Sequence, residues 1–276
     1  MAGIKNLMTK SFLERAISGI ILVIIILIAA LIGGGVMFGL TLCLSVIGMY
    51  EIYKTVGIEK KLIGIVGYIA CAGYYALLYF FETKYIALAI IATLLVMMCV
   101  YVFTFPKYTT EQAMMAFFGF VYVAVLMSFM YSLRASEGGK FTFWLIFISS
   151  WGCDTCAYLT GVTCGKHKMA PVLSPKKSIE GAVGGVVGAG LIGALYGHFV
   201  GEYVSIDNAV IAFAIICAVT GLVSMIGDLT ASAVKRNYEI KDYGKLIPGH
   251  GGVLDRFDSI IFTSPIIFYF LTLINF

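Results

Sequence analysis

The sequence predicts an all-α fold: a polytopic integral membrane protein of about nine transmembrane helices with a cytoplasmic N-terminus. Three observations predict it. Hydrophobic residues make up 61% of the 276 and charged residues only 12%, about half the charged share of an ordinary soluble domain. Mean hydropathy is +0.98, more apolar surface than a chain folding in water can hide. The lysines and arginines bunch between apolar runs, and nearly all of the bunches fall on one side of the predicted membrane.

Apolar stretches of spanning length lie at about 13–32, 35–53, 62–81, 85–105, 113–133, 141–161, 181–200, 209–227 and 257–275. The first follows Lys5, Lys10 and Arg15. No small-residue cleavage signal comes after it, so it reads as a retained helix. The glycine run 33–35 separates it from the second. With the N-terminus inside, the connections 54–61, 106–112, 162–180 and 228–256 are cytoplasmic. Together with the N-terminal segment they hold 16 of the 19 Lys and Arg, leaving Lys84, Arg134 and Lys140 outside. Merging the first two spans would put the N-terminal charges opposite the rest, so the positive-inside bias favours nine spans over eight. The polar loops then divide the chain into N-terminal helices, 1–140, and a C-terminal region, 141–276, expected to carry a cytoplasm-facing site.

The seven cysteines are odd in number and lie mostly in apolar runs, which is not a disulfide framework. Cys153, Cys156, Cys164 and His167 have a zinc-like spacing, but the first pair sits on an apolar helix, where buried cysteines are common. No Walker-type or G-x-G-x-x-G loop is present. A net charge of +4 is modest, and no nucleic-acid partner is expected. Small residues recur along 181–197 (Gly181, Gly184, Gly185, Gly188, Gly193, Gly197), the mark of close helix packing within or between chains. His167 and His198 have no evident partner in the sequence.

Two cytoplasmic loops are more than connections. The first lies within 151–185. Asp154 is embedded in an apolar helix, with Tyr158 and Gly161 on the same face at i+4 and i+7. A carboxylate inside a span costs roughly 2.5–3.5 kcal/mol on insertion scales, so it calls for a reason. Lys166, Lys168 and then Ser174-Pro175-Lys176-Lys177 follow; membrane anchoring alone accounts equally well for these lysines.

The second loop, 227–259, begins inside the eighth span. Asp228, Ser232 and Lys235 follow at i, i+4 and i+7, with Arg236 about 80° around. Lys241, Lys245 and His250 lie beyond. Pro248 and the glycines 249, 251 and 252 are expected to turn the chain sharply and let backbone approach a ligand. Asp255 and Asp258, i and i+3 at the mouth of the last helix, also suit simple dipole complementation. Converging with Asp228, however, three packed carboxylates would repel. A hard divalent cation removes that repulsion, and the interleaved Lys, Arg and His then suit a polyanion. The pattern points to a metal–phosphate site.

The stretch 232–258, SAVKRNYEIKDYGKLIPGHGGVLDRFD, resembles the signature of the phosphatidate cytidylyltransferase (CDP-diacylglycerol synthase) family, and so do SPKKSIEG and Asp154-x-x-x-Tyr158-x-x-Gly161. The resemblance is specific over roughly 150–260. Cys153 departs from it, standing where the family pattern has Ser.

The resemblance implies the reaction CTP + phosphatidate → CDP-diacylglycerol + pyrophosphate, in phospholipid biosynthesis. It also implies Mg²⁺, with a second cation left open, a homodimer among membrane lipids, and a site facing the cytoplasm from the inner membrane. Asp228, Asp255 and Asp258 would be the metal ligands, and with Lys235 the catalytic set. Ser174, Lys176, Lys177, Ser232, Arg236, Lys241, His250, Gly251, Gly252 and Arg256 would bind substrate, with Asp154 and Tyr158 shaping the cavity. Two alternatives stand beside this: a CTP-dependent polyprenol or phytol kinase, and an ion-coupled transporter using the intramembrane acids. The second predicts inverted repeats and midplane acids, whereas these acids cluster at one border.

Overall fold

A computed structural model describes residues 10–274, with side chains from Arg15 onward. Lys5, the Lys10 side chain and residue 275, used above to place the first and last spans, lie outside the described residues. Seven helical stretches among the described residues are long and apolar enough to cross a membrane: Arg15–Ile32, Gly34–Thr55, Leu62–Phe103, Thr110–Ala135, Ile179–Tyr203, Ala209–Asn237 and Leu254–Ile274. The protein is a multi-pass, predominantly helical membrane protein.

One of these stretches divides as the sequence reading expects, and one expected span does not form a single helix. Leu62–Phe103 contains two of the expected spans, α3 (Leu62–Phe81) and α4 (Ile86–Phe103), separated by a 3₁₀ turn at Glu82–Tyr85. Glu82 has φ 53 there, a conformation that ends a helix. The expected span 141–161 is not one helix. It consists of short turns at Gly139–Thr142 and Leu145–Phe147, a π-helical segment at Ile148–Gly152, and α7 (Cys153–Cys164). Ser150 Oγ donates back to the Ile146 carbonyl at 2.7 Å, the side-chain competition that loosens an α-helical ladder.

The chain forms two compact units. The first comprises residues 1–128 and 240–256. It contains α1 (Lys10–Ile32), α2 (Gly34–Thr55), α3, α4, α5 (Thr110–Gly119) and a π-helical segment, Phe120–Val125. Its core is built around Tyr53. The hydroxyl donates to the Ala116 carbonyl at 2.7 Å, and a Cβ at Gly67 or Gly119 would overlap the ring. A large aromatic is buried here because two facing helices offer hydrogen atoms instead of side chains. Tyr75 is likewise paired, its hydroxyl 2.7 Å from Ser45 Oγ. α5 starts with a capping box, Thr109 accepting from Gln112 N–H and Gln112 Oε1 accepting from Thr109 N–H.

The second unit comprises 129–239 and 257–276. It contains most of α6 (Leu126–Ala135), the broken segment through α7, then α8 (Ile179–Val200), α9 (Ala209–Asn237) and the body of α10 (Leu254–Ile274). The glycine stripe of α8 is spent within this unit. Gly181, Gly185 and Gly188 lie against Ala157, Cys153 and Cys156 of α7, and Gly193 and Gly197 against Phe213 and Ala209 of α9. Gly184 faces Thr160 of α7. Close backbone approach on these faces leaves no room for a methyl group. Between α7 and α8 the chain departs from all-α. Strands β1 (Lys168–Ala170) and β2 (Ser174–Ser178) form an antiparallel hairpin. Ser178 then caps α8 by accepting from Gly181 N–H at 3.1 Å.

Candidate functional site

In the second unit a cavity of about 570 Å³ opens beside α7, the hairpin and α9. Asp154, Tyr158, Ser174, Lys176, Lys177 and Asp228, six residues picked out from the sequence, all line it. α7 presents Asp154, Tyr158 and Gly161 from one face, as their spacing requires, and β2 brings the serine and the lysines. Lys177 forms an ion pair with Asp228. Lys168 of β1 also lines the cavity; the sequence marked it only as an anchoring charge. The apolar share of the wall comes from Val162, Met169 and Met225. The cavity thus combines two carboxylates, three ammonium groups and a greasy wall.

Why the hairpin holds its place is visible next to it. Glu180 accepts from the backbone N–H of Lys166 and of His167, at 3.1 and 3.2 Å, and from the His167 ring. His167, left unassigned from sequence, is therefore a clamp on the α8 N-terminus. With His167 so engaged, Cys153 buried and donating to the Gly221 carbonyl at 3.6 Å, and Cys164 exposed, the zinc-like spacing gathers no site.

α9 and α10 approach closely in the same unit: a Cβ on Gly227 would come 2.8 Å from the Asp258 carbonyl oxygen. That contact brings Asp228 to the turn of α10 that carries Asp258. Asp258 is 8% exposed, and its Oδ1 accepts from Ser259 N–H at 2.7 Å. Lys235 is half-buried on α9. Ser232 is half-buried along α9 and Arg236 exposed; neither lines the cavity.

The remaining predicted residues belong to the first unit. Asp255 is 7% exposed. Its Oδ2 accepts from Tyr243 N–H and Gly252 N–H, each at 2.9 Å, so it organises the loop that leads into α10. Lys241 and Arg256 are exposed and His250 half-buried. Burial first, then the Arg256 and Arg15 guanidinium groups, holds His250 below its ordinary pKa.

The three glycines have distinct reasons. Gly249 and Gly251 have φ 74 and 89, which glycine adopts without penalty. Gly252 is small because a Cβ would overlap the carboxylate of Glu51. A sharp turn and close approach to a ligand were the expectation for this run; Gly249 and Gly251 make the turn, and at Gly252 the close neighbour is the protein's own acid. Glu51 of α2 is 4% exposed, and its two oxygens accept from Val253 and Leu254 N–H, each at 2.9 Å. It satisfies two orphan donors at the start of α10. Sequence reasoning passed over Glu51, although the argument applied to Asp154, an acid within an apolar span, applies to it equally.

Among the described residues, no three His, Cys, Asp or Glu side chains are gathered as a ready-made metal cage. Asp228 and Asp258 nevertheless suit a hard cation. Mg²⁺ commonly takes one or two carboxylates and completes its shell with water and substrate phosphates, and the mutual repulsion of these acids is what such an ion relieves.

Comparison with known proteins extends this reading. The model of the cytidylyltransferase family matches residues 13–274. The chain is similar to proteins named phosphatidate cytidylyltransferase from three bacteria. With that of Haemophilus influenzae it is 40% identical over 132 residues, 48% of this chain and 46% of the relative. With that of Staphylococcus saprophyticus it is 34% identical over 161 residues, 58% and 60% of the two chains. With that of Thermotoga maritima it is 34% identical over 149 residues, 53% and 54%. The chain thus spans about half to three-fifths of the length of the curated relatives it matches. Because the family match runs over nearly all of it, the chain belongs to the cytidylyltransferase family.

Proposed function

We propose that the protein is a phosphatidate cytidylyltransferase that converts CTP and phosphatidate to CDP-diacylglycerol and pyrophosphate at the cytoplasmic face of the inner membrane. The observation that carries this reading is the cavity in which Asp154 and Asp228 meet Lys168, Lys176 and Lys177. Acids alone would suit a transported cation. Acids interleaved with lysines suit a polyphosphate that arrives with its own cation. The names of the relatives support phosphatidate as the acceptor and do not favour the kinase or transporter alternatives.

The chemistry asks for charge control more than for a base. A phosphatidate oxygen is already an anionic nucleophile; it attacks the α-phosphorus of CTP while the bond to pyrophosphate breaks. Lys168, Lys176 and Lys177 would neutralise the phosphates and hold them in line, and positioning supplies much of the remainder. Lys177, already paired with Asp228, is set to exchange its carboxylate partner for a phosphate. The proposed metal ligands in the second unit are Asp228 and Asp258, and Mg²⁺, when bound, would supply charge neutralisation at the phosphates; Asp255, expected from the sequence as a third ligand, instead accepts from Tyr243 and Gly252 N–H in the first unit. The reading also carries the nine-span, N-inside topology, the assignment of 141–276 as the catalytic region, and a homodimer.

Purified protein supplied with CTP, phosphatidate and Mg²⁺ is expected to release pyrophosphate and form CDP-diacylglycerol. No pyrophosphate under these conditions would refute the proposal. Release of CDP with a phosphorylated polyprenol would establish the kinase instead.

A further inference from the structure

The second unit has another cavity, of about 310 Å³, that the catalytic reading does not use. It forms where α6 and α10 end, against residues 203–206 of the connection from α8 to α9. The catalytic cavity, by contrast, meets α8 at Gly181 and α9 at Asp228. The 22 residues of α8 lie between the two levels. At 1.5 Å per residue they span about 33 Å, close to the thickness of the hydrocarbon core of a bilayer. The two cavities therefore belong to opposite borders of the membrane.

The polar lining of this cavity is rich in acceptors. Ser136 Oγ donates to the Leu133 carbonyl at 2.7 Å, and Thr272 Oγ1 to the Phe268 carbonyl at 2.8 Å. Thr142, 3% exposed, gives its proton to the Gly138 carbonyl over a longer 3.4 Å. A hydroxyl has one proton and two lone pairs, so each of these oxygens is left as an acceptor. Of the lining hydroxyls, those of Tyr203 and Ser205, both exposed, have no partner among the described residues. Glu137 adds a carboxylate and, among the described residues that line the cavity, is the only charged side chain. Phe268 and Leu271 supply an apolar wall. Tyr203 is set in place by stacking on Phe141, ring centroids 5.2 Å apart, and the Phe141 carbonyl accepts from the Tyr196 hydroxyl at 2.8 Å.

Acceptors gathered around one unopposed carboxylate call for a cation that donates hydrogen bonds. A quaternary ammonium has no N–H and would leave the oxygens unmet. A bare alkali ion would leave the apolar wall without a use. A primary ammonium has three N–H donors and a carbon stem to lie against Phe268 and Leu271. We propose that this cavity binds a primary alkylammonium group, with Glu137 as its counter-ion and Ser136, Thr142 and Thr272 as acceptors. An aminophospholipid headgroup and a free alkylamine carry the same group. The site goes beyond the cytidylyltransferase reading and takes from it only the side of the membrane: with the catalytic cavity cytoplasmic, this one opens on the far face.

The test uses the full chain in phosphatidylcholine nanodiscs. In one arm the discs are doped with phosphatidylethanolamine and retained lipid is counted by native mass spectrometry. In the other, undoped discs are titrated with free ethanolamine or choline and binding is followed by saturation-transfer NMR. Each pair differs only in methylation of the nitrogen. Wild type is expected to prefer the primary ammonium: a preference in the first arm marks a lipid headgroup, and one in the second alone marks a soluble amine. Glu137→Gln should lower that binding about tenfold, the usual loss for one charge-assisted hydrogen bond, with Glu137→Asp partly restoring it. Thr142→Val, which trades the buried oxygen for a methyl of similar shape, should lower it severalfold. Leu271→Trp, which fills the cavity without touching its acceptors, should lower it as well. No preference over the quaternary amine in either arm, or equal binding by wild type and Glu137→Gln, would overturn the proposal. So would displacement by potassium at equal concentration, which would mark an inorganic cation site. Pyrophosphate release, measured on the same discs, should be unchanged in Glu137→Gln. Amine preference without any release in wild type would refute the enzymatic reading and leave this site standing; release without amine preference would do the reverse.

Discussion

Glu51 and Asp228 are both carboxylates set in helices that read as apolar spans, and the two units treat them differently. Glu51 is sealed: two backbone N–H groups at 2.9 Å take its oxygens, and Gly244 and Gly252 are kept bare around it. Asp228 lines a cavity, faces Lys177, and shares its surroundings with Asp154 and Asp258. One acid is satisfied by the chain that folds around it. The other is left for something that arrives. An acid in a membrane span is therefore a question about its partner, and the partner decides between structure and chemistry.

Substitution should separate the two roles. Asp228→Asn or Asp258→Asn is expected to lower pyrophosphate release by about 10³-fold or more, by analogy with lost transition-state charge stabilisation, with an unchanged gel-filtration profile. Activity within tenfold of wild type in either variant would remove the second-unit acids from the reaction. Glu51→Ala should instead act on stability. It orphans two buried N–H groups at roughly 1–3 kcal/mol each, visible as a lower thermal midpoint in detergent. Gly252→Ala should lower stability by about 1–3 kcal/mol, the range for overpacking, and so move the midpoint in the same direction. The double variant should lose less than the two losses combined, because removing the carboxylate makes room for the methyl. Strict additivity would mean that Glu51 is not what keeps residue 252 bare.

Much of this was legible in the sequence, for identifiable reasons. Hydropathy and charge marked the apolar helices because each reports a local property of the chain. Asp154, Tyr158 and Gly161 share a face because helical spacing alone puts them there, and the lysines of 176–177 join them in one cavity. The partner of the glycine stripe on α8 was not legible: small residues announce close packing but not against what, and α7 and α9 of the same unit supply the answer. The π-helical segment at Ile148–Gly152 and the hairpin at 168–178 escaped because both rest on backbone hydrogen bonding that side-chain periodicity does not record. Glu51 escaped for a different reason. Its donors, Val253 and Leu254, stand 202 and 203 residues away, and no local pattern joins them.

Lys177 lies between the two behaviours, since it is bound to the protein before any substrate arrives. Lys177→Met should raise the KM for CTP about tenfold, as expected for one lost charge-assisted contact, with a smaller change in thermal midpoint because the pair is part-exposed. A large fall in midpoint with unchanged KM would make the pair structural, and the contrast with Glu51 would collapse.

The smallest expected effect is on pH dependence, at His250. Burial, with Arg256 and Arg15 adding to it, holds this ring below its ordinary 6.5. The unfolded chain then binds a proton in a pH range where the folded chain does not. Stability from the neutral ring is complete above 6.5 and is lost as pH falls from there through the folded-state value. Wild type should therefore exceed His250→Gln in thermal midpoint by most above pH 6.5, with the gap narrowing as the solution is made more acid. Ser18→Ala, which removes the hydroxyl 2.9 Å from His250 Nδ1, should leave that dependence in place, since burial and the two arginines set it. A gap that widens in acid would mean that the protonated ring is the one the fold prefers, and that the imidazole faces an anion of the protein itself in place of the hydroxyl of Ser18.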